Sequence, residues 1–288
     1  MKERKILFSL IIISLIILLA VSIHYNILIY VGAALLGVMT SMHIFFLVGV
    51  LTKNHTFVDT AWGLSFIIVA HITFWIQKEH TPLHWLVLAM VTLWGIRLFT
   101  HIVLRTVGRE EDLRYQEMRK SMEKQKSATL SSYLRIYVLQ GFLALFISAP
   151  IIMINTMTPN CLSPWYPLGI AVWLVGFSFE IIGDMQFKTF LSEKQNQGRL
   201  MTKGLWRYSR HPNYFGEATL WWGIFLIAMT FDGGWTSFFG PTLLTFLLLR
   251  ISGIPPAEKL IKNLPGFNEY KQSTNQFIPW FPKDETRA

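Results

Sequence analysis

The run Gly204-Leu205-Trp206-Arg207-Tyr208-Ser209-Arg210-His211-Pro212-Asn213-Tyr214-Phe215-Gly216-Glu217 concentrates residue types that can do chemistry. Arg207, Arg210 and His211 are cations or potential cations, Tyr208 and Tyr214 carry hydroxyls, Asn213 is an amide and Glu217 a carboxylate. All stand immediately before an apolar stretch. With Arg199 and Lys203 just upstream, they supply the cations and free helix-start amides that favour phosphate groups. The tyrosines can stack on a ring or donate to a ribose, Asn213 matches a carboxamide edge, and Glu217 can accept from a hydroxyl or an amine. Holding such a set at a bilayer edge is costly, and a phosphate-bearing nucleotide is the ligand it suits. No Gly-x-Gly-x-x-Gly follows a strand pattern, which excludes a Rossmann site.

Further ionisable residues fall inside apolar segments, where each costs a few kcal/mol and usually faces the bundle interior. Asp59 begins the third such segment, Arg97 lies in the inner half of the fourth, Glu180 and Asp184 near the inner end of the sixth, Glu217 at the start of the seventh and Arg250 at the end of the eighth. Short acidic chains reach poorly towards headgroups, unlike long cations that snorkel. Glu180, Asp184 and Lys188 recur every four residues and share one helix face; Asn213 with Glu217, and Arg97 with His101 and Arg105, make two similar rows. Their common depth predicts a polar cavity opening inward. His43 and His71 have no acidic or histidine partner one turn away and read as packing residues. His80 and His84 are interrupted by Pro82, and the single Cys161 gives neither a disulfide nor a metal site, so no metal is assigned.

The elements that must position these residues are apolar helices. Hydrophobic residues make up 52% of 288, and charged residues 15%, too greasy for an ordinary soluble domain. The apolar runs are residues 6–23, 27–51, 57–76, 83–104, 133–154, 166–185, 218–231 and 237–252, most of them near the length that spans a bilayer. Lys2, Arg4 and Lys5 precede the first run, but no small-residue cleavage site follows it, so a retained helix is expected. The net charge of +9 sits on alternate connections, with Lys78 alone on the other side, a positive-inside pattern that explains the basicity without nucleic acid. The fold class expected is all-α: a polytopic transmembrane bundle of about seven to eight spans with N- and C-termini cytosolic. Residues 1–53 form N-terminal transmembrane helices, 54–282 the main membrane domain, and 283–288 a polar tail. The long polar connections lie on the cytosolic side, where function is expected. Gly108 to Lys126 alternates in sign and reads as a solvated helix, and Phe277-Ile278-Pro279-Trp280-Phe281 as an interfacial aromatic anchor.

Gly204-Leu205-Trp206-x-Tyr208 with Asn213-Tyr214-x-Gly216-Glu217 resembles the C-terminal signature of the membrane steroid 5-alpha-reductase family, and Arg210-His211-x-Asn213-Tyr214-x-Gly216 resembles the related sterol reductases. Val58-Asp59-x-x-Trp62-Gly63, Trp94-Gly95-x-Arg97, Arg109-Glu110-x-Asp112-x-Arg114-Tyr115 and Gly183-Asp184-x-Gln186 resemble an uncharacterised bacterial branch of that superfamily, and the likeness covers about residues 54 to 282. It implies a helical membrane protein, in a bacterial inner membrane, taking NADPH from the cytosol and a lipid-like substrate from the bilayer. Asp184, Arg199, Tyr208, Asn213 and Glu217 match positions expected to contact the cofactor, and Arg97 one expected near it. Lys188, Arg207, Arg210, His211 and Tyr214 complete the cofactor set. Hydride would pass to the β-carbon of a conjugated alkene, Asp59 as a buried acid would hydrogen-bond the carbonyl and stabilise the enolate, and Tyr115 and Tyr214 are the candidate proton donors. In the steroid enzymes the acid works with a tyrosine, and here Trp94 stands where that tyrosine would fall. Ile251 to Pro256 replaces the histidine-rich stretch expected after the last span. The isoprenylcysteine carboxyl methyltransferases of the same superfamily share an Arg-His-Pro-x-Tyr-x-Gly pattern, which makes S-adenosylmethionine the alternative cofactor. A non-catalytic lipid-binding membrane protein is the third reading.

Overall fold

In a bilayer every backbone polar group needs a partner within its own segment, and an apolar run of about 20 residues meets that demand as a helix. The protein follows this rule in a computed structural model that describes residues 12, 15–122, 128–159 and 163–283. Lys2, Arg4, Lys5, Lys124, Lys126, Cys161 and Arg287, with most of the polar tail, lie outside the described residues. Helices α1 (Leu15–His24), α2 (Leu28–Thr52), α3 (Phe57–Ile76), α4 (Pro82–Thr106) and α5 (Leu113–Met122) come first. A composite span follows, built from α6 (Ala128–Ser132), a π-helical stretch (Tyr133–Val138) and α7 (Leu139–Ile147), and then α8 (Ala149–Thr156). The chain continues with α9 (Trp165–Ser192), α10 (Pro212–Ala228), α11 (Phe239–Arg250), α12 (Ile254–Ile261) and α13 (Phe267–Ser273). Among the described residues the only β-pairing is an isolated bridge between Pro159 and Phe231.

Among the described residues, six helical runs are long and apolar enough to cross a membrane: Leu28–Thr52, Phe57–Ile76, Pro82–Thr106, Thr129–Ile147, Trp165–Ser192 and Gly234–Ile261. Their outward side chains are apolar too: Leu36 is 70% exposed and Leu51 83%, the surface of a protein solvated by lipid. Several boundaries differ from expectation, and α9 runs on to Ser192 where 185 was expected. The span expected at 133–154 stops at Ile147, because Pro150 has no N–H to continue the ladder and a new helix starts at Ala149. Helix α10 starts at Pro212 rather than 218, since proline at a first helical position needs no N–H partner. The run expected at 237–252 is extended by a 3-10 turn before it and by α12 after it.

The chain forms two compact units, Lys2–Cys161 with Phe231–Gly240, and Leu162–Thr230 with Pro241–Ala288. In the first, Phe66, Phe74, Trp94, Tyr137, Phe146 and Ile151 are fully buried, and Asn155 on α8 donates to Ala70 O and to Thr73 Oγ1 on α3. His71 bonds Thr92 and His43 packs edge-on against Tyr133, the packing roles expected of them. Lys53 ends α2 in the left-handed conformation, φ 55°, so that the chain turns sharply into α3.

The second unit is organised by α9 and α10, which pack antiparallel along a seam of glycines. Gly169, Gly176 and Gly183 are spaced two turns apart on α9 and face Gly223, Gly216 and Asn213 on α10. A Cβ on Gly176 would lie 2.4 Å from the Leu220 nitrogen, and one on Gly216 2.4 Å from the Glu180 nitrogen. The backbones touch, so only hydrogen fits at these positions. That contact fixes the register that sets Gly183 and Asp184 beside Asn213.

Candidate functional site

In the first unit the sharp turn after α2 brings Asn54–Asp59 against the segment that leads into α5. Thr56 Oγ1 accepts the Asp112 N–H at 2.8 Å, and Glu111 accepts the His55 N–H at 3.0 Å. These bonds carry Arg114 and Tyr115 onto Asp59. Arg114 Nη2 lies 2.9 Å from Asp59 Oδ2, and the Tyr115 hydroxyl donates to Asp59 Oδ1. Asp112 holds Arg114 from behind, accepting from its Nε at 3.0 Å, and the Arg114 guanidinium lies over the Tyr115 ring at 5.4 Å. Gln140, just past the π-helical stretch, directs Nε2 at the Tyr115 oxygen at 3.4 Å. Tyr115 is only 4% exposed. Burial, and then the charge of Asp59, hold its phenol well above the usual tyrosine range, with Arg114 opposing.

This corrects the reading of residues 108–126 as a solvated helix. Among the described residues helix α5 covers Leu113–Met122, and its own Tyr115, like Glu111 just before it, is buried. Trp94 is fully buried with its ring edge-on to Phe66, and Arg97 is half-buried on the same helix.

In the second unit the glycine seam joins two expected residues directly: Asn213 Nδ2 donates to Asp184 Oδ1 at 3.1 Å, and Asn213 Oδ1 is buried without a hydrogen-bond partner. Glu217, one turn further along α10, and Glu180, one turn back along α9, are both buried. Trp206 donates from its indole to Gly183 O at 3.1 Å, and Gln186 accepts the Leu205 N–H at 2.9 Å, so the 204–207 turn sits on the end of the same seam.

Arg210 and His211 turn elsewhere. Arg210 is 4% exposed and gives Nε and Nη2 to Glu258 Oε1 at 2.9 and 2.7 Å and Nη1 to the carbonyls of Thr274 and Lys271. His211 Nε2 lies 3.5 Å from the same carboxylate oxygen, and its ring stacks on Tyr214 at 5.6 Å. Burial pushes the His211 imidazole below the ordinary histidine value, Glu258 opposing and Arg210 adding. Lys188, Arg199 and Arg207 are exposed, and Tyr208 is half-buried with its ring edge-on to Phe281.

A family described as "Protein of unknown function (DUF1295)" matches residues 45–274, most of the chain and all of both clusters. The chain belongs to that family. No curated protein and no solved structure matches it.

Within the matched region, the cofactor set expected from sequence is dispersed. Arg97 lies on α4, Lys188, Arg199 and Arg207 are exposed, Tyr208 packs against Phe281, and the other six form two groups. Asp184, Asn213 and Glu217 gather on the seam, whereas Arg210, His211 and Tyr214 cluster with Glu258. Sequence reasoning missed Arg114, Asp112 and Gln140 around Asp59, and Glu258 opposite Arg210. The glycines at 169, 176 and 183 were legible as a two-turn repeat on one helix face and were not read as one.

Proposed function

We propose that this chain is a membrane oxidoreductase that uses NADPH to saturate a carbon–carbon double bond conjugated to a carbonyl in a lipid or steroid-like substrate. One observation carries the reading: a buried tyrosine hydroxyl resting on a carboxylate that a guanidinium also holds. An acid paired with a tyrosine is what carbonyl polarisation needs. Trp94 had left the tyrosine missing, and Tyr115 supplies it from a different segment.

In this reading the proton offered to the carbonyl oxygen sits on Tyr115 rather than on Asp59. Asp59 orients the phenol, and Arg114 beside it contributes positive charge where the enolate oxygen develops negative charge. The high proton affinity of Tyr115 keeps it a donor at neutral pH. The residues of the second unit suit a nucleotide. The unpartnered Asn213 Oδ1 beside Asp184 is an acceptor that an amide or hydroxyl would satisfy, and Lys188, Arg199 and Arg207 are exposed cations for phosphate. NADPH, when bound, would supply the hydride, and the resulting enol becomes the saturated carbonyl when a solvent proton adds to its α-carbon and the enol proton returns to Tyr115. Because Arg210 and His211 are engaged by Glu258, the phosphates fall to those exposed cations. The uneven placement of Lys and Arg supports cytosolic termini, an inner-membrane location and a site reached from the cytosol.

The test is consumption of NADPH by purified protein supplied with lipids bearing conjugated enones, followed by absorbance and by mass spectrometry of the lipid. The proposal expects a gain of two hydrogens in the product, lost in Tyr115→Phe. Transfer of a methyl group from S-adenosylmethionine instead, or no turnover with either cofactor, would refute it.

A further inference from the structure

The segment after α12 is tied to the entrance of α10 by a row of backbone contacts. Arg210 N–H donates to Asn275 O at 2.9 Å, Ser209 Oγ donates to Phe277 O at 2.7 Å, Thr274 Oγ1 to Arg207 O at 3.4 Å, and Trp280 N–H to Tyr208 O at 3.0 Å. The Tyr270 hydroxyl adds a bond to Trp206 O, and Lys283 N–H closes back on Ser273 O at 2.9 Å. The tail is therefore fixed along residues 206–210, with Phe277 packed edge-on against Phe215 and three other apolar side chains outward. Ile278 is 64% exposed, Trp280 67% and Phe281 74%. Holding adjacent large apolar residues in water costs free energy in proportion to their area, so a rigid patch of this kind marks a contact surface. The same hydrogen bonds bring Arg207, Lys271 and Lys283, all exposed, onto this segment, with Lys203 exposed just upstream, and residues 271–283 contain no acidic side chain.

Aromatic side chains flanked by cations fit the headgroup layer of a membrane, where the rings lie among the acyl–headgroup boundary and each cation attracts anionic lipid. From this we propose that residues 271–283 form a strap that docks on an anionic phospholipid leaflet. The docked strap holds the Trp206–Arg210 turn, and through it the start of α10, in place. Asn213 lies three residues beyond the last of these bonds, so lipid charge bears on the geometry of the Asp184–Asn213 pair. The docking surface does not depend on the cofactor assignment.

The experiment places a reporter in the patch. The variant Trp280→Cys, in a Cys161→Ser background, is labelled with an environment-sensitive fluorophore and set in nanodiscs of phosphatidylcholine, with or without phosphatidylglycerol. Quenching is read from nitroxide lipids carrying the spin label near the headgroup. The strap predicts several-fold stronger quenching when phosphatidylglycerol is present, reduced by high salt and by Lys271→Gln with Lys283→Gln. Full-chain thermal melts establish that these variants fold. A fluorophore that reports water in both lipid compositions would overturn the proposal, as would equal quenching without anionic lipid. Shielding that appears only when two copies share a nanodisc would assign the patch to a second chain and overturn it as well.

Discussion

Tyr115 and Asp59 lie 56 positions apart and are joined by a hydrogen bond; in the proposed mechanism they divide what a single acid was expected to supply. No local pattern announces the pair: each residue was a candidate alone, and only the turn at Lys53 and the Thr56–Asp112 bond bring them together. Removing the phenol hydroxyl removes the one donor aimed from a charged partner. Tyr115→Phe should therefore lower kcat by about a hundredfold or more with KM little changed, measured as NADPH oxidation. Arg210 shows the opposite failure of sequence reading. Its neighbours suggested an anion site, yet its partners, Glu258 and the carbonyls of Lys271 and Thr274, lie far downstream. Breaking that buried pair with Glu258→Gln leaves Arg210 without its counter-charge and should cost about 3–5 kcal/mol in the unfolding of detergent-solubilised protein. Two buried histidines outside the membrane-spanning helices, His55 and His211, predict a pH effect. Burial lowers the proton affinity of His211, and likewise that of His55, where Arg119 adds and Glu111 opposes. The unfolded chain then binds protons more readily than the folded one, so stability is complete above about pH 6.5 and is lost as the pH falls below it. Thermal melts between pH 7 and 5 should show this decline, and His211→Asn should flatten part of it.

The helices were the most legible part of the chain. Apolar runs of spanning length have few alternatives in lipid, and the cores of α2, α3, α4 and α9 fall where hydropathy put them. Ends were less legible because hydropathy does not sense caps: Pro212 signals a helix start, but the polar residues after it masked the signal. The row Glu180, Asp184 and Lys188, spaced four apart, does lie on one continuous helix, running from buried to exposed. What makes that row meet Asn213 is the glycine seam, and it offers a sharp test. Gly176→Val would push a side chain into the Leu220 backbone and should lower stability by about 3 kcal/mol or more. Gly32, where an added Cβ would meet nothing within 4 Å, should accept alanine with no loss and a gain of up to about 1 kcal/mol. Equal melting temperatures for Gly176→Val and the parent would remove the seam from the account.

At the scale of the molecule, charge placement and hydropathy identify a membrane protein, and the family match over residues 45–274 agrees with the extent of the sequence likeness. Which ligand the molecule takes was less legible, because cations that hold a tail and cations that hold a phosphate look alike along a chain. The contacts separate them: Arg210 is bonded to Glu258 and to the Thr274 carbonyl, while Lys188, Arg199 and Arg207 are exposed. The most direct test of the central claim is calorimetric titration of the purified protein with NADPH and, separately, with S-adenosylmethionine. The account predicts saturable binding of NADPH that weakens by about tenfold or more in Asn213→Ala, whose side chain contributes both the bond to Asp184 and the unpartnered carbonyl oxygen. Binding of S-adenosylmethionine alone, or NADPH binding unchanged in Asn213→Ala and Glu217→Ala, would contradict it.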